Sequence, residues 1–296
     1  MAGGVEQVDW QGRTIHTEVV GSGPPLVLVH GTPWSSWVWH PLLPHLRERF
    51  TVHLWDMPGY GRSSKHPEHG VDLPTQARAL ADLLGTWGLR TVRPHVVAHD
   101  IGGAVALGAA LDHGVRFRSL ALVDAVVRRP WGSPFYRLVQ ANEHVFSALP
   151  AALHAALVRE YVAGTGGRPR TPDEIARLAA PWLDREGQEA FYRQVAQVRP
   201  DDTDPLEARL GGLDPSTAST GPVIVIWGAE DTWLPLQHGR DLAAAIPSAR
   251  FVAVPDAGHL VQLDRPAELV AVLDDWLKAI EDPREVRPRP SIAGGG

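Results

Sequence analysis

The sequence contains no cysteine, which excludes disulfides, thiol chemistry and any thiolate metal site. It has no basic run, and its formal net charge is -6, so a nucleic-acid partner has no electrostatic footprint to bind. No apolar stretch is long enough to cross a bilayer, which argues against a membrane partner. Met1 to Gln7 lack the charged-then-apolar pattern of a secretion signal. The expectation is a cytoplasmic protein acting on a small molecule, as a monomer or a homodimer.

What is present is ordinary in bulk and unusual in places. A chain of 296 residues, 44% hydrophobic and 21% charged, can bury a large core and is long for one simple domain. Eleven tryptophans supply large flat side chains, which line apolar pockets as well as fill cores.

The pattern along the chain alternates. A hairpin is expected over Val5–Trp10 and Arg13–Val20, turning at Gln11-Gly12. Buried-type strands follow at Leu26–Val29, Thr51–Trp55, Pro94–Ala98, Leu120–Val123, Val223–Trp227 and Phe251–Val254, with helical patterns between several of them. Strands alternating with helices predict an α/β fold, a mostly parallel sheet covered on both faces. Between Asp124 and Thr217 the strand-like runs stop. Helical segments Phe135–Ser147, Ala151–Tyr161, Asp173–Trp182 and Glu186–Val198 replace them, punctuated by the turn cluster Gly164-Thr165-Gly166-Gly167. The expected division is a core of residues 1–125 and 218–281, a helical cap of 126–217 above the strand ends, and a disordered tail of 282–296.

The chemistry centres on Ala98-His99-Asp100-Ile101-Gly102-Gly103. A buried-type strand ends in a small-x-acid-x-small-small turn and an alanine-rich helix follows, the layout of a nucleophile elbow. Serine is the usual occupant; here it is Asp100. Four further segments follow strands in the same way: His30-Gly31-Thr32-Pro33, the glycine-rich Asp56–Ser63, Gly228-Ala229-Glu230-Asp231, and Asp256-Ala257-Gly258-His259. Backbone N–H groups of Thr32 and Ile101 are candidates for an oxyanion hole. Each residue also has a structural reading. Asp100 could cap a helix, His259 could be a core histidine, and Asp231 could cap a helix from Trp233. Asp124, after the strand Leu120–Val123, is a rival for the acid that orients His259. His30 and His99 are read as loop-positioning groups.

These segments, in this order, resemble the α/β-hydrolase fold, and within it the aspartate-nucleophile branch of epoxide hydrolases and haloalkane dehalogenases. The resemblance covers everything but the tail and is loosest in the cap. It implies no cofactor and no metal, with a small apolar organic substrate and water as the only partners. It further implies that Asp100 attacks a saturated carbon to form an alkyl ester, and that His259, oriented by Asp231, whose Gly-x-x-Asp spacing is the tighter match, or alternatively by Asp124, activates water to hydrolyse it. An acyl substrate would give an anhydride instead.

The leaving group separates the branches. Haloalkane dehalogenases place Trp after the nucleophile and often Asn after His-Gly, where this chain has Ile101 and Thr32; fluoroacetate dehalogenases carry Arg, which Ile101 also is not. Epoxide hydrolases carry cap tyrosines that protonate the epoxide oxygen, although they usually also have aromatic residues where Thr32 and Ile101 stand. Tyr136, Tyr161 and Tyr192 all fall in the cap. The expectation is therefore epoxide hydrolysis, with dehalogenation and a non-catalytic binding protein as alternatives. Tyr192 is taken as the best-placed phenol, and Tyr136, Trp34 and Trp131 as further substrate-contacting residues.

Overall fold

A computed structural model describes residues 4–213, 220–247 and 249–281. The tail of 282–296, and the cap boundary expected at 217, lie outside the described residues. Eight strands form one sheet: β1 (Gly4–Trp10), β2 (Arg13–Gly21), β3 (Pro25–Val29), β4 (Thr51–Trp55), β5 (His95–His99), β6 (Ser119–Val123), β7 (Val223–Gly228) and β8 (Arg250–Val254). Their spatial order is β1-β2-β4-β3-β5-β6-β7-β8. β1 and β2 pair antiparallel and β2 is antiparallel to β4; every other pairing is parallel. Gln11 and Gly12 both have positive φ, 55° and 75°, the type I′ geometry that suits a two-residue hairpin.

The central strands β5, β6 and β7 are buried at every position. That is why they read as continuous Val/Ile/Leu/Ala runs rather than alternating patterns. Successive strands run outward from β3 to β4 on one side and from β5 to β6 on the other. The chain therefore reverses direction across the sheet at the β3/β5 pair, and a crevice opens at such a point beyond the carboxyl ends of the strands. Val29 pairs with Ala98, so the loop carrying Thr32 leaves the sheet beside the turn carrying Asp100.

Between β6 and β7 the described residues form helices and no named strand. Pro134–Ala141, Glu143–Ser147, Ala151–Ala163, Pro172–Ala179 and Arg185–Gln197 are the larger ones. The single helix expected over Phe135–Ser147 is broken at Asn142, whose φ of -141° leaves the helical region. The Asp173–Trp182 segment ends early, in a 3-10 turn at Ala180–Trp182. These helices form the cap, and it is fastened to the core by more than apolar packing. Arg170 lies 2.7 Å from Asp264, with both side chains buried, and Trp182 Nε1 donates to the Pro33 carbonyl at 2.8 Å. Among the described residues, no helix is long and apolar enough to cross a membrane.

The glycines of the turn are required by contact. A Cβ on Gly102 would stand 2.5 Å from the His30 carbonyl oxygen and 2.9 Å from that of Val29, both backbone atoms. Gly102→Ala is expected to lower stability by about 1–3 kcal/mol through forced displacement of the β3 end. Chemical denaturation of the variant checks this, and an unchanged midpoint would contradict it.

Candidate active site

Asp100 sits between β5 and the helix Ile101–His113, with φ 56° and ψ -130°. A residue with a side chain enters this region at a cost of about 1–3 kcal/mol and stays only where its surroundings fix it. Here they do. Asp100 N–H donates to the Val123 carbonyl at 3.1 Å, and the Asp100 carbonyl accepts from Gly103 and Val126, both at 2.9 Å. Gly31 completes the frame, because a Cβ there would lie 2.3 Å from that of Asp100.

The strained turn aims the carboxylate at two different sets of donors. Oδ1 accepts from the backbone N–H of Thr32 at 3.3 Å and from the N–H of Ile101. Oδ2 lies 2.8 Å from His259 Nε2. His259 Nδ1 in turn lies 2.9 Å from Asp231 Oδ2, and Asp231 Oδ1 accepts from the N–H groups of Trp233 and Leu234 at 2.7 and 2.9 Å. Asp231 thus caps a turn ahead of the helix Leu236–Ala245 while binding the imidazole. Asp124, the rival acid, makes no hydrogen bond to His259; its Oδ1 accepts from Gly228 N–H at 2.8 Å.

His259 is fully buried. Burial disfavours its charged form, yet the Asp231 and Asp100 carboxylates outweigh that cost and hold its pKa well above the usual imidazole range. Both ring nitrogens meet a carboxylate, an arrangement that favours an imidazolium. The neighbouring histidines act on loops: His30 Nε2 accepts from Met57 N–H at 2.9 Å, and His99 Nε2 donates to the His259 carbonyl at 2.8 Å. Burial lowers the pKa of both rings. The glycine-rich loop after β4 is likewise structural, with Asp56 accepting from Ser36 and Arg62 N–H groups at 2.7 and 2.8 Å.

A narrow cleft with about 40 Å³ of free internal volume opens onto Asp100 and His259, small for a ligand site. Thr32, Ile101, Trp131 and Tyr136 line it, as do Tyr161, Trp233, Leu234 and Val126. Two expected contacts are corrected. Tyr192 points into the cap interior, its hydroxyl 2.8 Å from His154 Nδ1 and its ring packed against Phe146 and Phe191. The helix Arg185–Gln197 turns that face away from the core. Trp34 lies behind Trp233, stacked on it at 5.6 Å, and does not reach the cleft. Tyr161 takes the place expected of Tyr192. Trp233 has no counterpart among the expected residues, although its position two residues after Asp231 is a signal that could have found it. Gln194 is also new: its Oε1 accepts from Thr32 Oγ1 at 2.6 Å and from Tyr60 OH at 2.9 Å, joining the cap to the oxyanion loop.

Residues 24–266 match the model of the alpha/beta hydrolase fold family. The chain belongs to that family. A crystal structure of an alpha/beta hydrolase fold protein from Burkholderia ambifaria is 41% identical, with a TM-score of 0.86, over 91% of this chain and 97% of that one. This α/β-hydrolase is also 29% identical to haloalkane dehalogenase 2 of Mycobacterium tuberculosis, over 88% of this chain and 90% of the relative. It is equally, 29%, identical to a pimeloyl-[acyl-carrier protein] methyl ester esterase of Nitrosomonas europaea, over 88% and 98%. Two relatives at the same identity thus bear names of different reactions.

The charge balance at His259 can be tested without substrate. Asp100→Asn removes one of the carboxylates that favour the imidazolium, so the His259 pKa should fall. Titration of the imidazole by NMR measures it; a value unchanged or raised would contradict the arrangement. The linkage has a definite sign, since the folded pKa is the higher one. Stability from the charged His259 is present below the unfolded value near ~6.5 and is lost as pH rises through the folded value.

Proposed function

We propose that this α/β-hydrolase converts a small apolar epoxide to a diol through a covalent ester on Asp100. The observation that carries the reading is the division of labour within one carboxylate: Oδ1 rests on two backbone N–H groups while Oδ2 meets the imidazole at the cleft. Oδ2 attacks an epoxide carbon, the ring C–O bond breaks, and a phenol donates its proton to the departing oxygen, recovering one from solvent afterwards. Esterification removes the charge of Asp100, which weakens the hold on the His259 proton; the imidazolium releases that proton to solvent, and the neutral ring can act as a base. His259 then takes a proton from water, hydroxide adds to the ester carbon, and the negative charge develops on Oδ1 beneath Thr32 and Ile101 N–H. Collapse expels the alkoxide, which the histidine protonates to the diol, and the proton left on the Asp100 carboxyl passes to the ring, restoring the carboxylate and the imidazolium.

The available donors favour an epoxide over a halide. A departing halide needs free N–H groups, but Trp131 Nε1 donates to Thr203 Oγ1 at 3.1 Å and Trp233 Nε1 to the Gly164 carbonyl at 2.9 Å. Tyr136 OH donates to the Val198 carbonyl at 3.2 Å. Burial and, after it, the charge of Asp100 raise the pKa of Tyr161 and keep its phenol protonated as a donor. Haloalkane dehalogenation is the second reading, favoured by the name of the Mycobacterium tuberculosis relative. Ester cleavage by the same route fits poorly, because a carboxylate attacking an acyl carbon yields an anhydride. A non-catalytic binder has no need of the aligned Asp100, His259 and Asp231.

His259→Gln incubated with styrene oxide should accumulate the ester, seen as intact protein plus substrate mass. In heavy-oxygen water the wild type should take label into the Asp100 carboxylate over repeated turnovers. Normal turnover by unmodified His259→Gln would sink the proposal, and bromide release from butyl bromide without epoxide turnover would select the second reading. Tyr161→Phe should slow ring opening by about a hundredfold, the worth of one acid group. Tyr192→Phe should leave it nearly unchanged, since its hydroxyl is engaged inside the cap.

A further inference from the structure

Asp124 is a buried carboxyl that the reaction above does not use. It directly follows β6, as Asp231 follows β7 by three residues, and the two acids and His259 each present an atom within 4.8 Å of the others. Asp124 is fully buried, and Asp231 is 9% exposed. Two carboxylates this close in a dry site repel, which favours one of them keeping a proton.

The donors decide which. Asp231 accepts from three groups: Trp233 N–H, Leu234 N–H and His259 Nδ1. Among the described residues Asp124 accepts from one, Gly228 N–H, and its Oδ2 is buried without a donor. A carboxylate short of donors is costly to bury, whereas a carboxylic acid with its O–H toward an acceptor is not. We infer that Asp124 is a neutral carboxylic acid whose proton is directed at Asp231, making it a positioning residue that holds Asp231 as the single anion behind His259. Asp100 lies on the far edge of the same imidazole, and His99 packs on its face at 4.8 Å, so they complete the titratable surroundings. Burial and, next, the charge of Asp231 push the Asp124 carboxyl well above the ordinary carboxylate range; His259 and the Gly228 N–H act in the opposite sense.

The positive φ of Asp124, 41°, and the Gly228 bond are ordinary turn features and do not require a proton. The proton has consequences a turn residue lacks. Asp124→Asn keeps a neutral donor of the same shape, so it should change ester hydrolysis by less than about threefold. In the Asp231→Asn background the repulsion is gone, Asp124 can ionise, and it partly replaces the lost acid. Adding Asp124→Asn there should cost at least about thirtyfold more than it costs in the wild type, a non-additivity expected of residues sharing one proton.

The kinetic part rests on the ester mechanism proposed above, so a second readout is independent of it. With heavy-carbon-labelled aspartate, the wild type near neutral pH should show the infrared carbonyl band of a protonated carboxyl, and Asp124→Asn should lack that band. If the band is missing from the wild type or survives in Asp124→Asn, the assignment is overturned. A loss of a hundredfold or more in Asp124→Asn alone, or additivity in the double variant, overturns it as well. Absence of turnover with both styrene oxide and butyl bromide would remove the reaction reading and leave the infrared result to stand for Asp124.

Discussion

The imidazole of His259, gripped at both edges by carboxylates, is the contact on which the rest of the site depends. It is not a short reach. Asp100 follows β5 and His259 follows β8, three strands away in the sheet. At about 4.8 Å per strand the two strand ends are roughly 14 Å apart, yet the side chains meet at 2.8 Å. The loop after β8 must therefore lean back across the strand ends, and specific bonds hold it there. Glu230 N–H donates to the Ala257 carbonyl at 2.9 Å, His99 holds the His259 carbonyl, and His259 N–H donates to the Thr165 carbonyl of the cap at 2.9 Å. Gly228 and Gly258 permit the crossing, since a Cβ on Gly228 would lie 2.2 Å from the Gly258 carbonyl oxygen.

The charge of the occupant at the elbow inverts the logic of this geometry. A serine there needs a neutral histidine that removes its proton. An aspartate needs no such help, and its negative charge favours an imidazolium in the resting state. In the proposed reaction the histidine becomes basic only when the first step has neutralised Asp100, so the order of steps is built into the electrostatics. The oxyanion donors are correspondingly aimed at the side chain of Asp100 itself, as the contacts from Thr32 and Ile101 to Oδ1 are.

The parts of the site legible in the sequence are those that follow strands. Buried parallel strands are continuous apolar runs, and the residue that ends each one is placed by the sheet, so Asp100, Thr32, Asp231 and His259 could be read in order. The choice of Asp231 over Asp124 rests on a weaker signal, the Gly-x-x-Asp spacing. They follow adjacent strands, and what separates them is the contact with His259 and the backbone donors around each carboxyl. Cap side chains were least legible, because helical periodicity gives an apolar face without saying which element it packs against. Tyr192 and Tyr161 have equivalent local patterns, but one is fixed on His154 and the other faces Asp100's cleft. The glycine cluster of 164–167 reads as a turn. Its close approach to the histidine loop, with a Cβ on Gly258 lying 2.3 Å from Gly166, depends on tertiary docking.

That docking ties selectivity to chemistry through a single side chain. Trp233 stacks on His259 at 5.0 Å, on Trp34 at 5.6 Å, and packs against Tyr161 at 4.7 Å. Its indole N–H is fixed to the Gly164 carbonyl of the cap, and its backbone N–H to Asp231. Ser133, Tyr161 and Trp233 line both the inner cleft and an outer apolar groove, so a substrate passing between them meets the ring that also covers the imidazole. An aromatic face beside an imidazolium stabilises the charged form. A shift of the cap that moves Trp233 would therefore alter the width of the passage and the basicity of the histidine together. In the proposed reaction Tyr161 stands where the cleft and the groove meet, as the proton donor, while the strand-end loops hold Asp100, Asp231 and His259 together.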